Sequence, residues 1–264
     1  MNSREPEEVT RSDGDPQEIA AGVAPAILLL SDVHAHYHVI EAQIVHAERS
    51  LHCPVAEVVV LGDFGMFRPN LYAYFRREGR RFTRPVSFLE GNHEDFGALP
   101  DLVRDYADVV VYLPRASLHR FGVWRALCLG GAKYMDAWST PPGCEIRDAE
   151  IAACLAHPAG AVDLILTHDC PSGIGIGNTA GLEHYGPPGV AGLAELSAAL
   201  QPRMWFFGHH HRWHTHTEAA TRYYGLPESW LGFALLFPDG EVRCVRNEVA
   251  LTPSPRWFRF FGLK

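Results

Sequence analysis

The chain has 264 residues, 47% of them hydrophobic, which is enough to bury a substantial core in a single domain. A formal charge of −8 argues against a broad nucleic-acid-binding face, which would need clustered Lys and Arg. It leaves room for a phosphate-bearing substrate, because bound divalent cations reverse the local field. The six cysteines form no CxxC pair and no framework spacing, as expected of a reduced, cytoplasmic protein. No apolar run reaches the ~18 residues of a membrane span and the first residues carry no signal-peptide pattern, so no membrane partner is expected.

Residues 1–24 are polar and acidic and read as a mobile tail, with one domain over 25–264. Ile27–Leu30 reads as a buried strand, followed by Ser31, Asp32, Val33 and His34. Residues 38–49 carry apolar side chains at helical spacing, and Val58–Leu61 reads as the next strand. Strand, helix, strand in that order implies parallel neighbours. A helix over residues 69–79 leads into a basic stretch, Arg76 to Arg84, read as a solvated face rather than a substrate contact. After Asn92 and His93 a helix is predicted over 99–107, then short strands over 109–112, 117–121 and 123–129, the last two joined as a hairpin at Gly122.

Residues 132–144 show no period and read as a loop. A helix follows from Asp148 to about His157, capped near Arg147. Residues 171–189 are rich in Gly and Pro and too long for a tight connection. Their glycines do not fit a dinucleotide fingerprint, and the segment reads as a loop over the substrate. A short helix over 190–200, further strands, and a hairpin turn at Asp239-Gly240 complete the fold. His214 and His216 alternate on a strand and read as surface residues, and the aromatic, basic end from Ser254 reads as packed on the domain.

One pattern recurs along this order. Five apolar runs each stop at a residue able to bind a metal: Asp32 and His34, then Asp63 after Gly62, then Asn92 and His93 after Gly91, then His168, then His209–His211 after Gly208. Asp and His one residue apart past a strand end can offer an oxygen and an imidazole nitrogen to one divalent ion. The five together read as one site assembled at the ends of five strands.

The ordered set DVH, GDF, GNHE, TH and GHHH resembles the calcineurin-like metallophosphoesterase superfamily. The resemblance implies an α/β fold with a two-sheet β-sandwich flanked by α-helices, in four layers. It implies that Asp32, His34, Asp63 and His211 hold one divalent transition-metal ion and that Asp63, Asn92, His168 and His209 hold a second, with Asp63 bridging. Mixed N and O donors favour Mn, Fe, Zn or Ni over Mg or Ca. Two ions about 3.5–4 Å apart share a carboxylate and a hydroxide, and that hydroxide attacks the phosphate ester. His93 is the catalytic residue, a general acid to the leaving group, oriented by Glu94 or Asp95.

Three positions depart from the phosphoprotein phosphatases of the superfamily. Met66 and Phe67 replace an Asp-Arg pair, and Glu90 replaces the Arg before GNHE, which disfavours a protein phosphatase. The expected activity is therefore hydrolysis of a small phosphate ester, a phosphodiester ahead of a phosphomonoester. The alternatives are an RNA-processing nuclease of lariat-debranching type, which FLEGNHED and LTHDCP resemble, and a catalytically silent metal-binding scaffold.

Overall fold

The computed structural model describes residues 24–137 and 140–251. The tail over 1–23 and the aromatic segment from Ser254 lie outside them.

Among the described residues, twelve strands form two mixed sheets of six. In the first, β1 (Ala26–Leu30) lies between β2 (Val55–Leu61) and β11 (Gly232–Leu236), with β12 (Val242–Arg246) at one edge and β3 (Val86–Leu89) then β4 (Val111–Tyr112) at the other. The order of the second is β5 (Ser117–Phe121), β6 (Trp124–Leu129), β7 (Leu164–Thr167), β8 (Met204–Phe207), β10 (Thr221–Gly225), β9 (His214–Glu218). The runs β1-β2-β3-β4 and β6-β7-β8-β10 are parallel, while the β5–β6, β9–β10 and β11–β12 hairpins are antiparallel.

Three apolar layers follow from the two-residue period of the strands. Ile27, Leu29, Val59 and Leu61 meet Ala126, Leu164, Leu166, Met204 and Phe206 between the sheets. Leu28, Leu30, Val58 and Val60 point the other way, onto helices α1 (Tyr37–Val45), α2 (Arg68–Leu71) and α3 (Leu99–Asp105). Leu127, Ile165, Trp205 and Phe207 pack on α4 (Asp148–Leu155) and α5 (Ala191–Leu200). Every residue of β1, β3, β7 and β8 is buried because both faces of these strands are covered.

Both of the first two helices widen into a π-wound turn, α1 over His46–Ser50 and α2 over Tyr72–Arg77. Val45 is exposed, since it lies 100° around the helix from Ile44 and off the buried stripe. The basic stretch is spent on its neighbours: Arg76 pairs with Asp108 at 2.7 Å and Arg84 with Glu48 at 2.7 Å. His214 is more than a surface residue, because its Nε2 donates to the Ile174 carbonyl at 2.8 Å and ties β9 to the loop after β7.

All five of the strand ends singled out above, those of β1, β2, β3, β7 and β8, terminate parallel strands of the two sheets. The residues that follow them meet across one edge of the sandwich.

Candidate metal centre

Asp32, His34, Asp63 and His211 bring four donor atoms within 4.8 Å of one another. His211 Nε2 lies 3.1 Å from Asp32 Oδ1, although the two are 179 residues apart and leave different sheets. Asp63 faces two ways. Its Oδ2 is 3.8 Å from His34 Nε2 and its Oδ1 is 3.5 Å from His168 Nε2. Asn92 Oδ1 is 3.1 Å from that same His168 nitrogen, and the His209 ring stands edge-on to His168 with centroids 4.9 Å apart.

The backbone makes this convergence possible. Asp32, His34, Asp63, His209 and His211 all take positive φ, between 48° and 65°. Such conformations cost non-glycine residues ~1–3 kcal/mol each and persist only where the surroundings over-determine them. The loops brace one another: Asp32 N–H donates to Gly62 O at 3.2 Å, His34 N–H to Asp63 O at 2.6 Å, and His209 N–H to Asp32 Oδ2 at 3.1 Å. Gly91 sits where an added Cβ would overlap Asp63 Oδ1, and Gly62, at φ 90°, where one would overlap the His168 ring. Only glycine permits these two approaches.

The donor chemistry fits divalent ions. His168 donates its Nδ1 hydrogen to the Leu61 carbonyl at 2.8 Å, which turns Nε2 toward the oxygens of Asp63 and Asn92. Three acceptor atoms then face one another, a donor set whose chemistry suits a divalent cation. Burial lowers the His168 pKa, but the charges of Asp63 and Asp32 outweigh it and hold it raised. Burial likewise opposes ionisation of Asp32, yet the His211 hydrogen bond and the nearby imidazoles hold its carboxyl far below the usual range. His211 itself is pushed up to about 9: burial pulls it down, and Asp32 with Glu228 more than restores it. His209 goes the other way, to about 4, because burial dominates there and keeps a neutral imidazole at physiological pH.

A cavity of about 710 Å³ opens beside these side chains, lined by Asn92, His93, His209 and His211 on one wall and by the 171–189 segment on the other. His93 donates its backbone N–H to Asp63 Oδ1 at 2.7 Å, and its ring meets His34 edge-on at 5.3 Å. Glu94 is committed to the backbone: its Oε1 accepts from Phe64 N–H at 2.9 Å, and its Oε2 from Gly65 N–H at 3.1 Å and from Met66 N–H. Asp95 Oδ1 accepts from Ala98 N–H at 3.2 Å.

Several residues that shape the centre escaped the motif reading. Glu228 Oε1 lies 3.5 Å from His211 Nδ1 and so fixes the ring from behind. Glu90, buried at 2% exposure, pairs with Arg115 and accepts from Tyr112 at 3.0 Å; Arg115 reaches on to Glu150 at 3.0 Å. Lys133 Nζ donates to the carbonyls of Tyr185 at 3.0 Å and Pro187 at 2.8 Å, and Tyr185 donates to Asp136, so the 171–189 segment is fastened across the cavity. No local sequence signal marks these contacts, which join residues 17 to 54 positions apart.

Solved structures share the architecture. The chain superimposes on a protein of Thermus thermophilus, TT1561, with a TM-score of 0.53 at 12% identity, covering 85% of this chain and 99% of that one. Phosphopantetheinyl hydrolase from Mycobacterium tuberculosis gives 0.51 at 15% identity, over 89% and 99%. A putative 5'-nucleotidase from Staphylococcus aureus gives 0.52 at 14% identity, over 86% of this chain and 55% of that one. At such identities the likeness is one of fold. No curated protein sequence matches the chain. A sequence model of the calcineurin-like phosphoesterase family matches residues 25–213, a span that takes in all five strand ends, and the chain belongs to that family.

Proposed function

We infer that the protein hydrolyses phosphate esters with two divalent transition-metal ions, and that it prefers a phosphodiester to a phosphomonoester. The observation that carries this reading is the two-faced placement of Asp63. One carboxylate oxygen faces His34, in the group with Asp32 and His211, and the other faces His168, in the group with Asn92. A single carboxylate between two donor sets is what a bridged pair of ions requires.

Asp32, His34, Asp63 and His211 would hold one ion, and Asp63, Asn92, His168 and His209 the other. When bound, the ions supply an acidified water as nucleophile and positive charge for the non-bridging phosphate oxygens. The chain's own residues do the rest. Leu61 sets the tautomer of His168, and Glu228 orients His211. His93 lines the cavity wall, which supports a role as general acid to the leaving group.

The preference for a diester is supported by the cavity. It runs from the donor cluster to Leu182, Tyr185 and Pro187, leaving space for a second ester arm beyond the phosphate. The test is a panel of mono- and diesters assayed with Mn, Fe, Zn and Ni in turn. Turnover of diesters above monoesters with two ions per chain supports the reading, and absence of turnover with any metal refutes it.

A further inference from the structure

A second group of donors lies outside the seven residues assigned to the two ions. Asp169, Cys170 and His210 bring a carboxylate oxygen, a sulfur and an imidazole nitrogen within 4.8 Å of one another. The convergence is on one atom. His210 Nε2 lies 3.0 Å from Asp169 Oδ1 and 3.2 Å from Cys170 Sγ. The carboxylate is held in place from behind, by Lys133 N–H on Oδ2 at 2.9 Å and by Cys170 N–H on Oδ1 at 2.7 Å. Asp169 and Cys170 are buried, at 1% and 0% exposure, whereas His210 is half-buried. Asp169 and His210 both line the cavity that the substrate would enter.

The chemistry of this triangle is that of a cation site. One imidazole nitrogen carries at most one hydrogen, yet here it touches both a sulfur and a carboxylate. A divalent ion would displace the thiol proton to solvent, shift the imidazole hydrogen to Nδ1, and bind all three donors at once. Sulfur, nitrogen and oxygen donors on a three-sided frame match zinc, which takes four ligands and would keep its fourth position open. Thiolate and carboxylate together balance the ion's charge. Without the ion, a buried carboxylate faces a cavity meant for an anionic phosphate ester, and that arrangement repels the substrate.

We propose that Asp169, Cys170 and His210 bind a further divalent cation, zinc, separate from the ions of the strand-end cluster, with its open position toward the cavity. The ion adds a point of attachment for an anionic group of the substrate away from the scissile phosphate.

The strand-end cluster contains no sulfur, so a sulfur-to-metal charge-transfer band reports this site alone. Full-length protein stripped of metal is titrated with Co(II) and then with Zn(II), with absorbance and bound metal measured together. The expected result is a sulfur-to-cobalt band in the unaltered protein and one more bound equivalent than in Cys170→Ser, which shows no band. His210→Ala, at a half-buried position, should weaken cobalt binding at this site at least tenfold while the protein stays folded. Asp63→Asn should keep the band, so failure of the strand-end reading leaves this site visible. Absence of the band in the unaltered protein, its survival in Cys170→Ser, or its loss in Asp63→Asn would each overturn the proposal.

Discussion

Asp32 and His211, which leave strands of different sheets, lie 3.1 Å apart in a hydrogen bond made by two atoms that would both ligate a bound metal ion. Ion and proton therefore compete. His211 is pushed up to about 9, above its ordinary 6.5, while Asp32 is held far below its ordinary range. In the ion-free protein the His211 contribution to stability is complete below pH 6.5 and is lost as pH rises through 9. The Asp32 contribution is complete above its ordinary 3.8 and lost only in strong acid. Thermal unfolding of metal-free protein should accordingly show Tm falling between pH 6.5 and 9, with His211→Ala flattening that slope. Metal affinity should run the opposite way, tightening about tenfold per pH unit below pH 9 because one proton leaves per ion. Affinity that is flat over this range would show that His211 is not a ligand.

Asp63→Asn tests the bridge. The amide is nearly the same size but carries no charge, and both donor sets lose their shared anion. Elemental analysis should find fewer than two ions per chain, and turnover should fall by about 10³-fold or more. Two ions with near-normal turnover would remove Asp63 from the bridging role.

Glu94 reaches under the Asp63 loop and receives three consecutive backbone N–H groups, those of Phe64, Gly65 and Met66. Glu94→Ala leaves all three buried donors without an acceptor. The expected loss of stability is about 2–4 kcal/mol, read as a shift of the chemical denaturation midpoint. Glu94→Gln keeps one carbonyl acceptor and should lie between the two.

What could be read in the sequence was whatever is written locally. Each of β1, β2, β3, β7 and β8 announces itself as an apolar run that stops at a Gly, Ser or Thr and a polar ligand type, because the physics of a strand leaving a sheet is local. The order of the sheets is not local. That β10 inserts between β8 and β9, or that β11 rather than β12 borders β1, depends on pairing across long separations. The same holds for the buried polar residues. Glu90 reads as a departure from a motif until Arg115, 25 positions later, closes on it. Asp169 carries no motif of its own, and its role shows only when His210, 41 positions away, reaches its carboxylate.

Lys133 gives a test of the covering segment. Its ammonium holds the carbonyls of Tyr185 and Pro187, while its backbone N–H binds Asp169. Lys133→Ala removes the first and spares the second. Losing charged hydrogen bonds worth about 1.5 kcal/mol should raise KM for the best substrate roughly tenfold and narrow the differences among substrates. Metal content should not change. Unchanged kinetics for every substrate would make residues 171–189 a connector.

His93 is the residue on which the reaction class turns. Its neighbour Asn92 offers its amide oxygen beside His168, and the His93 backbone N–H is fixed on Asp63, so the imidazole is carried to the cavity wall beside the donor cluster. A group in that place can deliver a proton to the departing oxygen, and general acids contribute ~10²–10⁴-fold in rate. The contribution depends on the leaving group. An alkoxide cannot depart without a proton, whereas nitrophenolate can. His93→Ala should therefore keep both ions while losing about 10²-fold or more in kcat on alkyl phosphate esters, and much less on nitrophenyl esters. Equal losses on both ester classes would refute the acid role, and loss of metal would make His93 a brace for the Asp63 loop rather than a catalyst.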